Sequence, residues 1–289
     1  MKAIANLGFM FAELPFLERF AAAAAANFTT VELGCSWTST SPSDVAAAAA
    51  AAGVTIYALN TPKTSPSGLE WGTACVAGDE AQREFEAQME ETLAMAAACS
   101  AAAIHLLAGC GEADDEAMAA VFEARVAQAL AMASAHGIIV LLEPITRKAA
   151  IPGYFLTSVP HALDVIDRVR AANSDLQLIG IQFDVFHVYL EDGAVGWWLD
   201  RALERAPVVH LQLSAPAART APVSPAVMAA MAIAHPLLDY SSELDFGWLE
   251  SKLDEVGYHG FVGLEYKKHP SFTSTHDEVA ALRDAGWRW

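Results

Sequence analysis

Basic residues are scarce in this 289-residue chain: Lys+Arg 17 face Asp+Glu 35, a formal net charge of −18. Binding to phosphate backbones is driven by Lys/Arg neutralisation, so the charge argues against nucleic acid and anionic membranes as main partners. It leaves room for a locally positive site for a small anion. Long apolar runs are absent too. The longest alanine tracts, Ala21–Ala26 and Ala46–Ala52, are too short to span a bilayer. The opening Met1–Asn6 lacks a charged segment followed by a long apolar one, and the expectation is a soluble, cytoplasmic protein. Cysteine is rare. Cys35, Cys75, Cys99 and Cys110 form no CxxC pair and lack zinc-knuckle spacing, so four reduced thiols are expected. There is no GxGxxG, GxxxxGK[ST], GxSxG or HExxH, and nucleotide-dependent chemistry and serine hydrolysis lack support.

What the chain does contain is alternation. With 54% hydrophobic residues, it can bury a large core. Eight short apolar runs read as strands: Ala3–Phe9, Thr30–Leu33, Val54–Leu59, Ala103–Leu107, Ile138–Leu142, Leu178–Phe183, Val208–Leu213 and Phe261–Leu264. Several are dense in Val, Ile and Leu, as in parallel strands covered on both faces. Between them, Pro15–Ala26, Ser43–Ala52, Asp79–Cys99, Asp114–His136, Ser158–Ala172, Gly193–Arg205, Asp245–Val256 and Thr275–Ala285 read as helices. Ser158 with Pro160 is a start signal, and Gly53, Gly137 and Gly257 are stop signals. The pattern implies an α/β fold, a single (β/α)8 TIM barrel over residues 1–289. Two loops after strands are long, Asn60–Gly78 and Ser214–Asp245. The second carries an alanine-rich insertion at about 215–240.

A barrel sets functional side chains at the C-terminal ends of its strands. Those ends read Leu142-Glu143-Pro144, Phe183-Asp184, His210-Leu211-Gln212 and Leu264-Glu265-Tyr266. Three carboxylates and one amide oxygen therefore converge on the mouth. So close a set repels itself unless a cation sits between its members, and oxygen ligands favour Mg²⁺ or Mn²⁺ over zinc. His187 reaches substrate or metal from the start of the following loop, or packs against a nearby carbonyl. Arg219 suits a bidentate grip on a carboxylate, or is a solvated loop residue. Trp71 either walls off the pocket or anchors its loop. His210, on the same face as Gln212, reads best as a packed core histidine one layer lower.

In this order and spacing the residues resemble the hydroxypyruvate isomerase family of xylose-isomerase-like barrels. The likeness is carried by Ala5-Asn6-Leu7 with Glu13–Phe20, Asn60-Thr61, Glu70-Trp71-Gly72, Glu143-Pro144-Ile145, Pro152–Leu156, Asp184 with His187, and Gly263–Lys267. It implies a divalent ion held by Glu143, Asp184, Gln212 and Glu265. It also implies an acid/base pair of Glu143 and Glu265, with His187 and Arg219 facing a small hydroxy-oxo acid or sugar. Family members commonly associate, so a homo-oligomer is compatible with the resemblance. The chain departs from the family at Thr146, Tyr189, Thr220 and Ala221, and in the insertion. The activity implied is interconversion of hydroxypyruvate and tartronate semialdehyde. The alternatives are a ketose 3-epimerase, a 2-oxo-tetronate isomerase, an inosose dehydratase, an endonuclease-IV-like nuclease and a non-catalytic metabolite-binding paralogue. Charge and the oxygen-rich site oppose the nuclease.

Overall fold

The computed structural model describes residues 2–148, 151–213, 246–268 and 272–284. Eight parallel strands close into a barrel in sequence order: β1 (Lys2–Asn6), β2 (Thr30–Glu32), β3 (Thr55–Asn60), β4 (Ala103–His105), β5 (Ile139–Leu142), β6 (Ile179–Asp184), β7 (Val208–Leu213) and β8 (Phe261–Leu264). β1 pairs with β8 through Ala3↔Val262 and Ile4↔Gly263, which shuts the ring. The helices outside are α1 (Glu18–Ala25), α2 (Pro42–Ala52), α3 (Asp79–Ala98), α4 (Glu116–Ser134), α5 (Val159–Ala172), α6 (Val185–Asp192), α7 (Val195–Arg205), α8 (Phe246–Glu255) and α9 (Thr275–Asp284). Among the described residues no helix is long and apolar enough to cross a membrane.

Local chemistry sets the helix ends. Ser41 Oγ accepts from Asp44 N at 3.2 Å with Pro42 at the first helical position, and Asp115 Oδ1 accepts from Ala117 N at 2.8 Å. Ile179, Ile181 and Phe183 on β6 point outward into the main core with Leu163, Ile166 and Leu199 of the helices. Truncating one such side chain to alanine costs about 2–5 kcal/mol. Inside the barrel, Ala58, Ala103 and Leu141 form a small apolar floor with Tyr57, Ile139 and Val208 against them. Gln182, Asp184, His210 and Gln212 alternate onto this inner side above the floor. β6 and β7 hold them level, as Gln182↔His210 and Asp184↔Gln212.

Two expectations are corrected. β1 ends at Asn6 rather than Phe9, because Asn6 Oδ1 accepts from Gly8 N at 2.8 Å and turns the chain. Residues 185–192, expected as loop, form α6: Asp184 Oδ1 accepts from Phe186 N at 2.7 Å and starts a helix directly at the strand end. His187 therefore stands on α6. The insertion at 215–240 and Arg219, Thr220 and Ala221 within it lie outside the described residues.

Candidate active site

The C-terminal ends of the strands surround a cavity of about 440 Å³ lined by Glu143, Asp184, His187, Glu265, Lys63 and Trp71 among others. Glu143 and Glu265, 122 positions apart in sequence by their numbering (265 − 143), thus face one space. Glu143, Asp184 and His187 each offer a ligand atom within 4.8 Å of the others. His187 Nε2 lies 3.7 Å from Glu143 Oε1 and 4.0 Å from Asp184 Oδ2.

The other oxygen of Glu143 is engaged from below. Gln182 Nε2 donates to Oε2 at 2.8 Å, and His105 Nδ1 sits 3.2 Å from the same atom. Burial pushes the Glu143 carboxyl well above the ordinary carboxylate range, the Asp184 charge adds to this, and the Gln182 bond opposes it. Glu265 is also pushed well up, by burial first and then by Glu143 and Asp184. Burial takes His105 down to about 3, with His187 and His210 adding, and burial alone takes His187 to about 3. Both imidazoles are therefore neutral near pH 7, so the His105–Glu143 approach is a polar contact rather than an ion pair, with His105 Nδ1 also 3.4 Å from Gln182 Nε2.

A second buried carboxylate organises the opposite wall. Glu32 Oε1 accepts from Asn6 Nδ2 at 3.2 Å and from Gln212 Nε2 at 2.9 Å, while Oε2 meets His210 Nε2 at 2.8 Å. Asn6 Nδ2 also reaches Glu265 Oε2 at 3.3 Å. The register of β2 on β3 shifts between Val31 and Glu32, where β3 carries one extra residue, Tyr57. Gly263 makes the room: a Cβ there would stand 2.3 Å from Glu32 Oε1. With its amide nitrogen on Glu32, the buried Gln212 leaves Oε1 without a hydrogen-bond partner among the described residues. An orphaned amide oxygen beside crowded carboxylates is the donor set a hard divalent cation takes.

Each expected site residue can now be placed. Glu143, Asp184, His187, Glu265 and Trp71 line the cavity. Gln212 stands opposite Asp184 in the β6–β7 register. His187, expected near substrate or metal, joins Glu143 and Asp184 in the candidate ligand group, and Glu265 stands outside that group. His210 is fully buried, its ring 4.7 Å from that of Tyr57 and tilted by 46°, and bonded to Glu32. Glu32, His105, Gln182 and Lys63 were not anticipated. The signal for Glu32 was a carboxylate inside the apolar run Thr30–Leu33, one residue from its end, close to the placement that marked Glu143 just after Ile138–Leu142.

The family described as xylose isomerase-like TIM barrel matches residues 20–287. The chain belongs to that family. A Mus musculus protein named "Putative hydroxypyruvate isomerase" is 32% identical over 271 residues, covering 91% of this chain and 88% of the relative. A 2-oxo-tetronate isomerase of Cupriavidus necator is 30% identical over 265 residues, covering 91% of each chain. The crystal structure of an AP endonuclease, family 2, from Brucella melitensis superposes with a TM-score of 0.80 at 26% identity, over 98% of this chain and 99% of that one. Kinship across nine-tenths of the chain with proteins named as isomerases makes this xylose-isomerase-like barrel an isomerase.

Proposed function

We propose that this isomerase interconverts hydroxypyruvate and tartronate semialdehyde with Mg²⁺ or Mn²⁺ in place. The observation that carries the reading is the pair Glu143 and Glu265, both pushed well above ordinary carboxylates and both lining the cavity that holds the candidate ligand group. Glu143, Asp184, Gln212 and Glu265 would hold the cation. Once bound, it supplies Lewis-acid stabilisation of negative charge developing on the substrate oxygens.

The residues do the rest. Glu265, in its carboxylate form, takes the proton from the hydroxymethyl carbon beside the ketone, giving an enediolate. Glu143, on the other wall, returns a proton to the former carbonyl carbon, and a proton moves between the two oxygens to complete the aldehyde and the new alcohol. Such general acid–base transfer is worth roughly 10²–10⁴-fold. Gln182 and His105 fix Glu143, and Asn6 fixes Glu265, so neither swings away from the carbon it serves. His187 faces the substrate beside Glu143, Trp71 excludes water from the mouth, and the resemblance adds Arg219, outside the described residues, as a substrate-facing group. A second reading keeps the chemistry and lengthens the substrate to a four-carbon 2-oxo acid, favoured by a cavity with space for one.

Incubation of the Mn²⁺-loaded protein with a panel of three-carbon and four-carbon 2-oxo hydroxy acids and five- or six-carbon ketoses, followed by NMR, tests this. Turnover of an acid, lost in Glu265→Gln with the fold intact, is expected. Activity confined to the ketoses overturns it.

A further inference from the structure

The cavity poses an electrostatic problem for an acid substrate. It opens on a chain of net charge −18 and is lined by Glu143, Asp184 and Glu265. A cation held by those carboxylates offsets their charge but leaves the substrate's own carboxylate without a partner among the described residues named so far. Two ammonium groups line the same cavity, those of Lys63 and Lys267. Lys267 is exposed, while Lys63 is half-buried.

Lys63 is held in place. Its Nζ sits 3.9 Å from the centroid of the Trp71 ring, over the face that attracts a cation. Among the described residues it makes no ion pair, so the charge stands uncompensated at the cavity wall. The loop beneath is rigid. Gly72 N donates to Lys63 O at 3.2 Å, and Thr64 bridges to Glu70. Gly72, at φ +100°, lies so tightly on β4's exit that a Cβ would stand 2.3 Å from Leu107 O. Arg125 donates to Thr73 O, and Thr61 Oγ1 accepts from Leu107 N at 3.0 Å. Lys63 lines the same cavity as Cys35, Glu143 and Glu265, and the Cys35 thiol, raised first by burial and then by Glu265, is pulled down again by Lys63.

We propose that Lys63, positioned by the Trp71 ring, is the specificity-determining group that binds the carboxylate of the substrate and makes this barrel select 2-oxo acids over neutral sugars. This rests on the acid-isomerase reading above, and extends it by naming the group that recognises the acid. An ammonium held over a ring is oriented while retaining N–H donors for an incoming carboxylate. The rigid loop lowers the ordering cost of binding.

Calorimetric titration of the Mn²⁺-loaded protein with D-glycerate, an acid, and dihydroxyacetone, a neutral triose, tests it without requiring turnover. For Lys63→Met the expected result is about a 10- to 100-fold rise in the Kd for glycerate, the loss of one charged hydrogen bond, with dihydroxyacetone unchanged. Lys63→Arg should recover most of the affinity, which a merely structural role would not produce. If the acid is turned over, Lys63→Met should raise its KM far more than it lowers kcat. Glycerate binding equal in Lys63→Met and wild type overturns the proposal. So does equal loss for both ligands, or a loss confined to Lys267→Met. Wild-type protein that binds glycerate through Lys63 yet isomerises only neutral sugars contradicts the reaction assigned above while leaving the anion site standing.

Discussion

Gln212 donates its amide nitrogen to Glu32 at 2.9 Å and keeps its own oxygen free of any hydrogen-bond partner among the described residues. One buried carboxylate thereby decides which end of a neighbouring amide is offered to the site. Partners that orient metal ligands typically matter by 10- to 100-fold in affinity. Glu32→Gln should therefore weaken Mn²⁺ binding by about that factor without unfolding the barrel. Gly263→Ala should act in the same direction, because the new methyl would stand 2.3 Å from Glu32 Oε1. Calorimetric titration with Mn²⁺ checks both, and unchanged affinity in the pair contradicts the role given to Glu32.

Cation binding should depend on pH with a definite sign. Without a cation, burial and mutual repulsion raise the carboxyls of Glu143 and Glu265, so they hold protons that ordinary carboxylates have lost. A cation needs the carboxylate form, and binding must expel those protons. His105 and His187, both near 3, are already neutral and release nothing across this range. Affinity for Mn²⁺ should rise between about pH 5 and 8, with proton release visible when titrations in buffers of different ionisation enthalpy are compared. Removing the cation with a chelator should lower Tm, more so at the higher pH.

Tyr154 makes a separate stability prediction. Its hydroxyl accepts from Ala108 N at 2.9 Å in a fully buried setting. Tyr154→Phe leaves that backbone donor unsatisfied and should cost about 1–3 kcal/mol in urea unfolding. A change below a few tenths of a kcal/mol would mean that another group replaces the hydroxyl.

The thiols should be inert in the folded protein. Burial is the main reason that Cys35 and Cys75 are pushed up to about 12. At pH 8 that leaves roughly one thiolate in ten thousand, and the thiolate is the reactive form. Iodoacetamide should modify these two far more slowly in native protein than in urea, as followed by peptide mass spectrometry.

The barrel was legible in the chain because eight apolar runs and their glycine and serine punctuation act locally. Boundaries blurred where a side chain rather than periodicity ends an element. Asn6 stops β1 by bonding Gly8 N, and Asp184 starts α6 by capping Phe186 N. The strand-end carboxylates could be read as a group because a parallel barrel brings all such ends together. What orients them could not. Glu32 meets His210 across 178 positions and Gln182 meets Glu143 across 39, and no local pattern encodes those pairings. Lys63 escaped for a similar reason: only the closed turn from 63 to 72 sets its ammonium on Trp71.

The most direct test of the account is hydrogen exchange at carbon, followed by NMR in D₂O with Mg²⁺-loaded protein and hydroxypyruvate. Wild type should wash deuterium into the hydroxymethyl group of recovered hydroxypyruvate and form tartronate semialdehyde, and Glu265→Gln should do neither. Wild-type protein that leaves every C–H bond untouched, or a Glu265→Gln variant that exchanges as fast as wild type, would contradict the claim that Glu265 takes the proton.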